Sequence, residues 1–391
     1  VDTRYSSRLP EIAKTPERRA LLTIYREAVS CALAILLLAA SLATGAQTAS
    51  PHVRAINDLV AAYVSGHHVP GLSIAVIDGG RVIFTQGYGL ADVENRVPAD
   101  GDTVYRIASI SKSISATAAM RLAEAGKLDL DASIEKYCPD FPKKPWPITT
   151  RELLTHQSGI RDYRNDEETI NTRHYASIRE ALTQFANDPL EFEPGTKMQY
   201  TSYGYIVLGC VMEGASGTSY ERFMQQAIFE PAQMPATRLD DVFAIIPHRA
   251  HGYRVSASGE LQNAIFVDVS NKPPGSGINS SAKDMGNFVA ALYAAKLVSK
   301  ATLKQMLTPA TTRDGKATIY GFGFFRGGPL GKYRDLEEAG HGGDQQGFSS
   351  VLYLLPEKEF GVVILSNLEG QQSSLDFIGL SRKIYDIVSS Q

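Results

Sequence analysis

The 391-residue sequence predicts an α+β fold, an α/β/α sandwich whose mixed, mostly antiparallel sheet is flanked by helices and carries an all-α lobe beside it. The prediction rests on a helix and strand hairpin near the front, a hairpin and helix at the back, and helical patterning between them. Strands from the two ends of a chain usually pair into one sheet, and the middle is left to form a lobe. On this reading a single domain covers 47–391, with its α/β part at about 47–126 and 276–391 and its helical lobe at about 127–275.

Each element has a local cause. Between His52 and Ser65, apolar residues fall at Val53, Ile56, Leu59, Val60 and Tyr63, which is helical spacing. Leu72–Ile77 and Val82–Thr85 read as strands joined by Asp78-Gly79-Gly80, a turn whose tightness calls for positive φ. An Ala-rich helix follows Ser109 and ends near Ala125, with Gly126 as its cap. In the middle, helical pattern recurs at Thr149–Thr155, Ser177–Ala186, Tyr203–Ala215 and Ser219–Gln226, while 236–275 is irregular. Ser281-Ala282-Lys283-Asp284 reads as a capping box ahead of another helix. Ser349–Leu355 and Phe360–Ser366 form the second hairpin around a polar turn, and Leu375–Val388 closes the chain as a helix.

Before position 47 the composition changes. Arg18, Arg19 and Arg26 precede an apolar run from Ala28 to Leu42, and small residues follow through Ala46. This is the order of a secretory signal, so residues 1–46 are expected to be a signal peptide or, failing cleavage, an N-terminal anchor. A periplasmic or secreted location follows from it. A formal charge of -3 leaves no electrostatic footprint for nucleic acid, and no membrane partner beyond the possible anchor is expected. Cys138 and Cys210 are too few for a disulfide framework; they could pair in an oxidising compartment, but two separate thiols are the preferred reading, Cys210 lying inside the apolar run Ile206–Val211.

The chemistry begins at Ser109-Ile110-Ser111-Lys112. A Ser and a Lys three apart on a helix share a face, and a weakly nucleophilic hydroxyl needs a base that a desolvated lysine can supply. The same spacing occurs at Ser133/Lys136, in a charged loop, and at Ser280/Lys283, read as a solvent-facing helix cap. Ser109 alone opens a long helix of small and apolar residues. The sequence has no H-E-x-x-H zinc pattern, no G-x-S-x-G elbow, no P-loop and no dinucleotide fingerprint. No metal or other cofactor is expected.

Tyr105–Lys112 resembles the nucleophile segment of class C beta-lactamase-related proteins. Two further stretches follow in that family's order: Glu193-Pro194-Gly195 with Tyr200-Thr201-Ser202, similar to its Tyr-x-Asn motif, and His341-Gly342-Gly343, similar to its Lys-Thr-Gly strand. The chain thus resembles the serine beta-lactamase and penicillin-binding-protein superfamily over roughly 52–388. The likeness extends to animal mitochondrial beta-lactamase-like serine proteases and their bacterial relatives through Arg106–Ser113, Gly126–Asp131, Ile148–Leu154 and His156–Arg161.

The resemblance implies a serine hydrolase that forms an acyl-enzyme on Ser109, with Lys112 accepting its proton. It implies that Tyr200 relays a proton to the leaving group, its phenolate favoured by Lys112 and by His341. Backbone N–H groups of Ser109 and Asp344 would hold the oxyanion, and Ser202, Gly342 and Gly343 would contact substrate. Ser202 in place of Asn, and a partly charged His341 in place of Lys, point away from efficient beta-lactam hydrolysis. The expected substrate is a small-molecule ester, a peptide or a beta-lactam-like compound, turned over by a peptidase or carboxylesterase activity. The alternatives are a D-alanyl carboxypeptidase or weak beta-lactamase, and a non-hydrolytic penicillin-recognising or assembly protein.

Overall fold

The computed structural model describes residues 51–326 and 338–390; the expected signal or anchor over 1–46 lies outside them. Helix α1 spans Pro51–Gly66 and leads into β1 (Gly71–Asp78) and β2 (Arg81–Asp92). The turn between these strands has φ of 52° at Gly79 and 71° at Gly80, as a tight antiparallel connection requires. Short strands β3 (Val97–Pro98) and β4 (Val104–Arg106) lead to a 3-10 turn, Ala108–Ile110, and to α2 (Ser111–Glu124).

The four helices predicted in the middle of the chain all form, the last continuing as a π-helical turn over Gln225–Phe229, but long loops and short strands separate them, so the lobe is not all-α. Its helices are mostly single turns: α3 (Thr150–Leu154), α4 (Asp166–Thr169), α5 (Ile178–Leu182) and α7 (Tyr220–Met224), around the longer α6 (Ser202–Ser216). Side-chain caps explain their sharp starts. Thr149 and Glu152 form a capping box, and Asn165, Ser177, Thr201 and Ser219 each accept from a backbone N–H one turn in. The segment 236–275 contains β5 (Arg238–Leu239) and the small hairpin β6 (Tyr253–Val255) and β7 (Leu261–Asn263).

Helix α8 (Pro273–Ser276), β8 (Ile278–Ser281), α9 (Ala282–Tyr293) and α10 (Lys300–Leu307) return the chain to the sheet. Ser281 caps α9, but the Asp284 carboxylate accepts from Ala236 and Thr237 instead of completing a box. Ser280, expected at the surface, is fully buried, while Lys283 is exposed and pairs with Asp102. Strands β9 (Phe325–Arg326), β10 (Ala339–Gln345), β11 (Phe348–Leu355) and β12 (Phe360–Ser366) precede the closing helix α11 (Gln371–Ser389).

The main sheet has the order β3-β2-β1-β12-β11-β10-β9, and its ladders are antiparallel. Alternation along each strand divides the core. Leu72, Ile74, Val76, Val362 and Ile364 face Ile56 and Val60 of α1 and Phe377 and Ile384 of α11. Ala75, Ile77, Val363 and Leu365 face the other way, in one cluster with Ile114 and Leu122 of α2 and Phe288 and Val289 of α9. Helix α2 belongs to this inner cluster and packs against the helices Ser202–Ser216 and Pro273–Ser276, which explains why its buried positions include Lys112.

The cysteines correct the sequence expectation. Cys138 and Cys210 form a disulfide across 72 positions, with Cα atoms 5.5 Å apart. The pairing is set where the Tyr137 backbone packs closely against Gly214 of α6, a meeting that local sequence does not encode. Closing a loop of this length restricts the unfolded chain, so replacing both cysteines with serine is expected to cost about 2–4 kcal/mol. Thermal melts of the oxidised wild type and the double variant check this; equal midpoints would refute it.

Candidate active site

The nucleophile segment is held against β10 and β11. Ile107 and Ser109 flank Ala108, whose φ of 47° is an uncommon, strained conformation for a residue with a Cβ. Ser350 on β11 donates to the Ile107 carbonyl at 2.9 Å, and β10 passes close by. A Cβ added at Gly343 would lie 2.6 Å from the Ile107 oxygen and 3.1 Å from the Ala108 Cβ, so only glycine lets β10 approach this far. Ser109 is half-buried and Lys112, one turn on, is completely buried.

Lys112 Nζ lies 3.3 Å from Ser109 Oγ, 3.4 Å from Ser202 Oγ and 2.9 Å from the Gly275 carbonyl. Burial pushes its pKa down to about 7; Asp162 opposes that shift and Lys272 adds to it. The neutral amine has two N–H bonds and one lone pair. Gly275 O and Ser202 Oγ accept the two hydrogens, which leaves the lone pair for the Ser109 hydroxyl. The arrangement suits a base.

Tyr200 is half-buried and interacts with the Ser109 hydroxyl, and the Lys112 ammonium position is 4.8 Å from its ring centre. Burial raises its pKa far above the ordinary phenol value, so Tyr200 is a protonated donor rather than the expected phenolate. His341 also differs from expectation. Its Nδ1–H donates to the Gly342 carbonyl at 2.6 Å, and its Nε2 lies 3.1 Å from the Tyr320 hydroxyl, a donor to that nitrogen. It is 1% exposed, and burial next to Lys112 holds its pKa down to about 3. His341 is therefore neutral, and neither a partial cation nor a stabiliser of phenolate.

The sequence-predicted residues Ser109, Lys112, Tyr200, Ser202 and His341 are thus brought together, the Tyr200 and His341 ring centres 6.1 Å apart. The Ser202 hydroxyl faces Lys112. Gly342, Gly343 and Asp344 lie on β10 beyond Ala339 and Gly340, the two positions that β9 pairs with. Around them stand Asp162, Lys272, Tyr320 and Phe325, which the sequence did not single out, and His156, which opens the His156–Arg161 stretch of the family likeness. Asp162 accepts from the Ser202 backbone N–H at 2.9 Å and acts electrostatically on Lys112 and Lys272. Lys272 is buried, its pKa pushed down to about 8, and donates to the Thr169 carbonyl. Tyr320, Phe325 and His156 complete an aromatic wall around Tyr200 and His341.

A family model described as Beta-lactamase matches residues 56–378 of this chain. The chain belongs to the beta-lactamase family. Human mitochondrial serine beta-lactamase-like protein LACTB is 30% identical to it over 379 residues, covering 74% of this chain and 69% of LACTB. A penicillin-binding protein of Bacillus subtilis (strain 168) is 28% identical, covering 78% and 69% of the two chains. Among solved structures, the D-amino acid amidase of Ochrobactrum anthropi SV3 has a TM-score of 0.72 at 26% identity, covering 87% of this chain and 97% of the amidase. The octameric penicillin-binding protein homologue of Pyrococcus abyssi has a TM-score of 0.72 at 27% identity, covering 85% and 77%. Beta-lactamase family membership supports serine hydrolase-type activity in general, on small-molecule or peptide substrates.

Proposed function

We propose that this beta-lactamase-family chain cleaves carboxylic esters or peptide-type amides through an acyl-enzyme on Ser109. The reading is carried by one observation: a half-exposed hydroxyl 3.3 Å from a buried amine whose pKa is about 7. Ser109 Oγ adds to the substrate carbonyl while its proton passes to the Lys112 lone pair. Tyr200 gives its phenolic proton to the departing oxygen or nitrogen and regains one from Lys112, so the leaving group departs protonated and Lys112 is neutral again. Water then attacks the acyl ester, its proton returns through the same groups to Ser109 Oγ, and the acid departs. The backbone N–H groups of Ser109 and Asp344 hold the charge that develops on the carbonyl oxygen, a contribution of about 3–4 kcal/mol for one well-placed donor.

Substrate choice follows from His341. A neutral imidazole at this strand position offers no charge to a substrate carboxylate, which disfavours penicillins and peptides with a free C-terminus. We expect kcat/KM for a short nitrophenyl ester or an amino-acid amide to exceed that for a penicillin or a D-Ala-D-Ala peptide by at least about tenfold. A panel of these substrates, with mass-spectrometric location of a fluorophosphonate adduct, tests the proposal. An adduct elsewhere than Ser109 defeats the mechanism, and preferred turnover of the carboxylate substrates defeats the specificity. Labelling without turnover of any substrate in the panel would favour a penicillin-recognising, non-hydrolytic role.

A further inference from the structure

Tyr200 lies in a stretch without regular structure, immediately before α6, so something other than a helix or a sheet must fix its phenol. The residues on either side of it are held by one side chain and its own backbone. The Gln199 N–H donates to the His156 carbonyl at 2.8 Å, and the Thr201 N–H donates to His156 Nδ1 at 3.2 Å. Between these bonds the His156 ring lies against Tyr200, with centroids 4.3 Å apart. The ring is fully buried, and it also meets Tyr320, with centroids 4.5 Å apart. Because Nδ1 accepts, the ring proton of the neutral imidazole sits on Nε2, a buried atom with no hydrogen-bond partner among the described residues. Leaving a buried donor unmatched costs free energy, and His156 also has a φ of 57°, uncommon for a residue with a Cβ. A residue chosen for stability alone would avoid both costs.

We infer that His156 is a positioning residue that clamps the backbone on both sides of Tyr200 and so aims its phenol at Ser109 and the leaving group. The inference rests on the proposed role of Tyr200 as proton relay. His156 touches neither substrate nor reacting atoms; it acts through the two flanking N–H groups and the tilted ring packed against Tyr200. Its neighbours reinforce the hold: Thr201 Oγ1 donates to the Arg161 carbonyl at 2.7 Å, and the Ser202 N–H to Asp162 at 2.9 Å. The loop His156–Asp162 thus forms a cradle for 199–202, and His156 supplies the part that faces Tyr200.

Two substitutions separate the acceptor from the bulk. His156→Phe keeps a ring against Tyr200 and removes the Nδ1 acceptor. His156→Asn places an acceptor oxygen near the Nδ1 position and tolerates positive φ. With short-ester turnover normalised to the Ser109 sites titrated by fluorophosphonate, His156→Phe is expected to lower kcat about 10- to 100-fold with little change in KM. His156→Asn is expected to recover most of that loss. In a Tyr200→Phe background, His156→Phe is expected to add less than about twofold, because the group it aims is already gone. The inference is overturned if kcat per titrated site is unchanged in His156→Phe, if His156→Asn is no better, or if the two substitutions multiply independently. If Tyr200→Phe alone leaves kcat unchanged, the proposed relay itself fails, an outcome distinct from the other three.

Discussion

Exchanging Lys112 for methionine is expected to lower kcat/KM for a short ester by about a thousand- to ten-thousand-fold. Methionine is close in length and apolar, so the buried site remains filled and the thermal midpoint should hold or rise. The pH dependence carries the mechanistic content. Burial holds the Lys112 pKa down to about 7, and the active form is the neutral amine. The neutral fraction grows as pH rises, so wild-type kcat/KM should climb through about pH 7 and level off above it. The methionine variant should lose that limb along with its rate. Ser109→Ala is expected to be at least as damaging, and the double variant no worse than the poorer single one, because groups that act as a unit do not add. A pH limb that persists without the lysine would assign it to another group.

The second large effect is expected at Gly343. A Cβ there would stand 2.4 Å from Ser350 Oγ and 2.6 Å from the Ile107 carbonyl oxygen. Ser350 could rotate, at the loss of its own bond to Ile107, but the backbone carbonyl cannot yield without moving the nucleophile segment. Gly343→Ala should therefore push β10 outward and carry the Asp344 N–H away from the carbonyl oxygen it is proposed to hold. Loss of one such donor lowers kcat about 100- to 1000-fold. The loss should appear in kcat more than in KM, since the oxyanion forms after binding. A kcat within threefold of wild type would mean that β10 does not supply this donor.

The strand and helix framework was legible because it is written locally. Gly79 and Gly80 mark the first hairpin, the small residues after Ser109 mark a buried helix, and Ser349–Leu355 with Phe360–Ser366 mark the second hairpin. Ser109, Lys112, Tyr200 and His341 were legible through short ordered motifs. What was missed depends on where distant pieces of chain meet. Asp162 and Lys272 carry no motif, and they matter to Lys112 because α8 and the loop after α3 converge on it. The state of His341 was misjudged because charge depends on burial and on the Tyr320 hydroxyl, neither of which its three-residue motif encodes. The disulfide was missed for the same reason. Cys210 does lie in an apolar run, but its partner is selected by packing.

The strand order has a consequence for biosynthesis. Strand β1 lies near the front of the domain, yet one of its two neighbours is β12, with Leu72 opposite Ser366. While the chain emerges from the ribosome, the apolar edge of β1 stays unpaired until translation has passed Ser366. Such long-range pairing is slow to form and leaves a nascent strand able to recruit foreign ones. Stop codons anywhere before β12 should therefore yield insoluble protein rather than a smaller folded fragment, even though the nucleophile helix would be present in full.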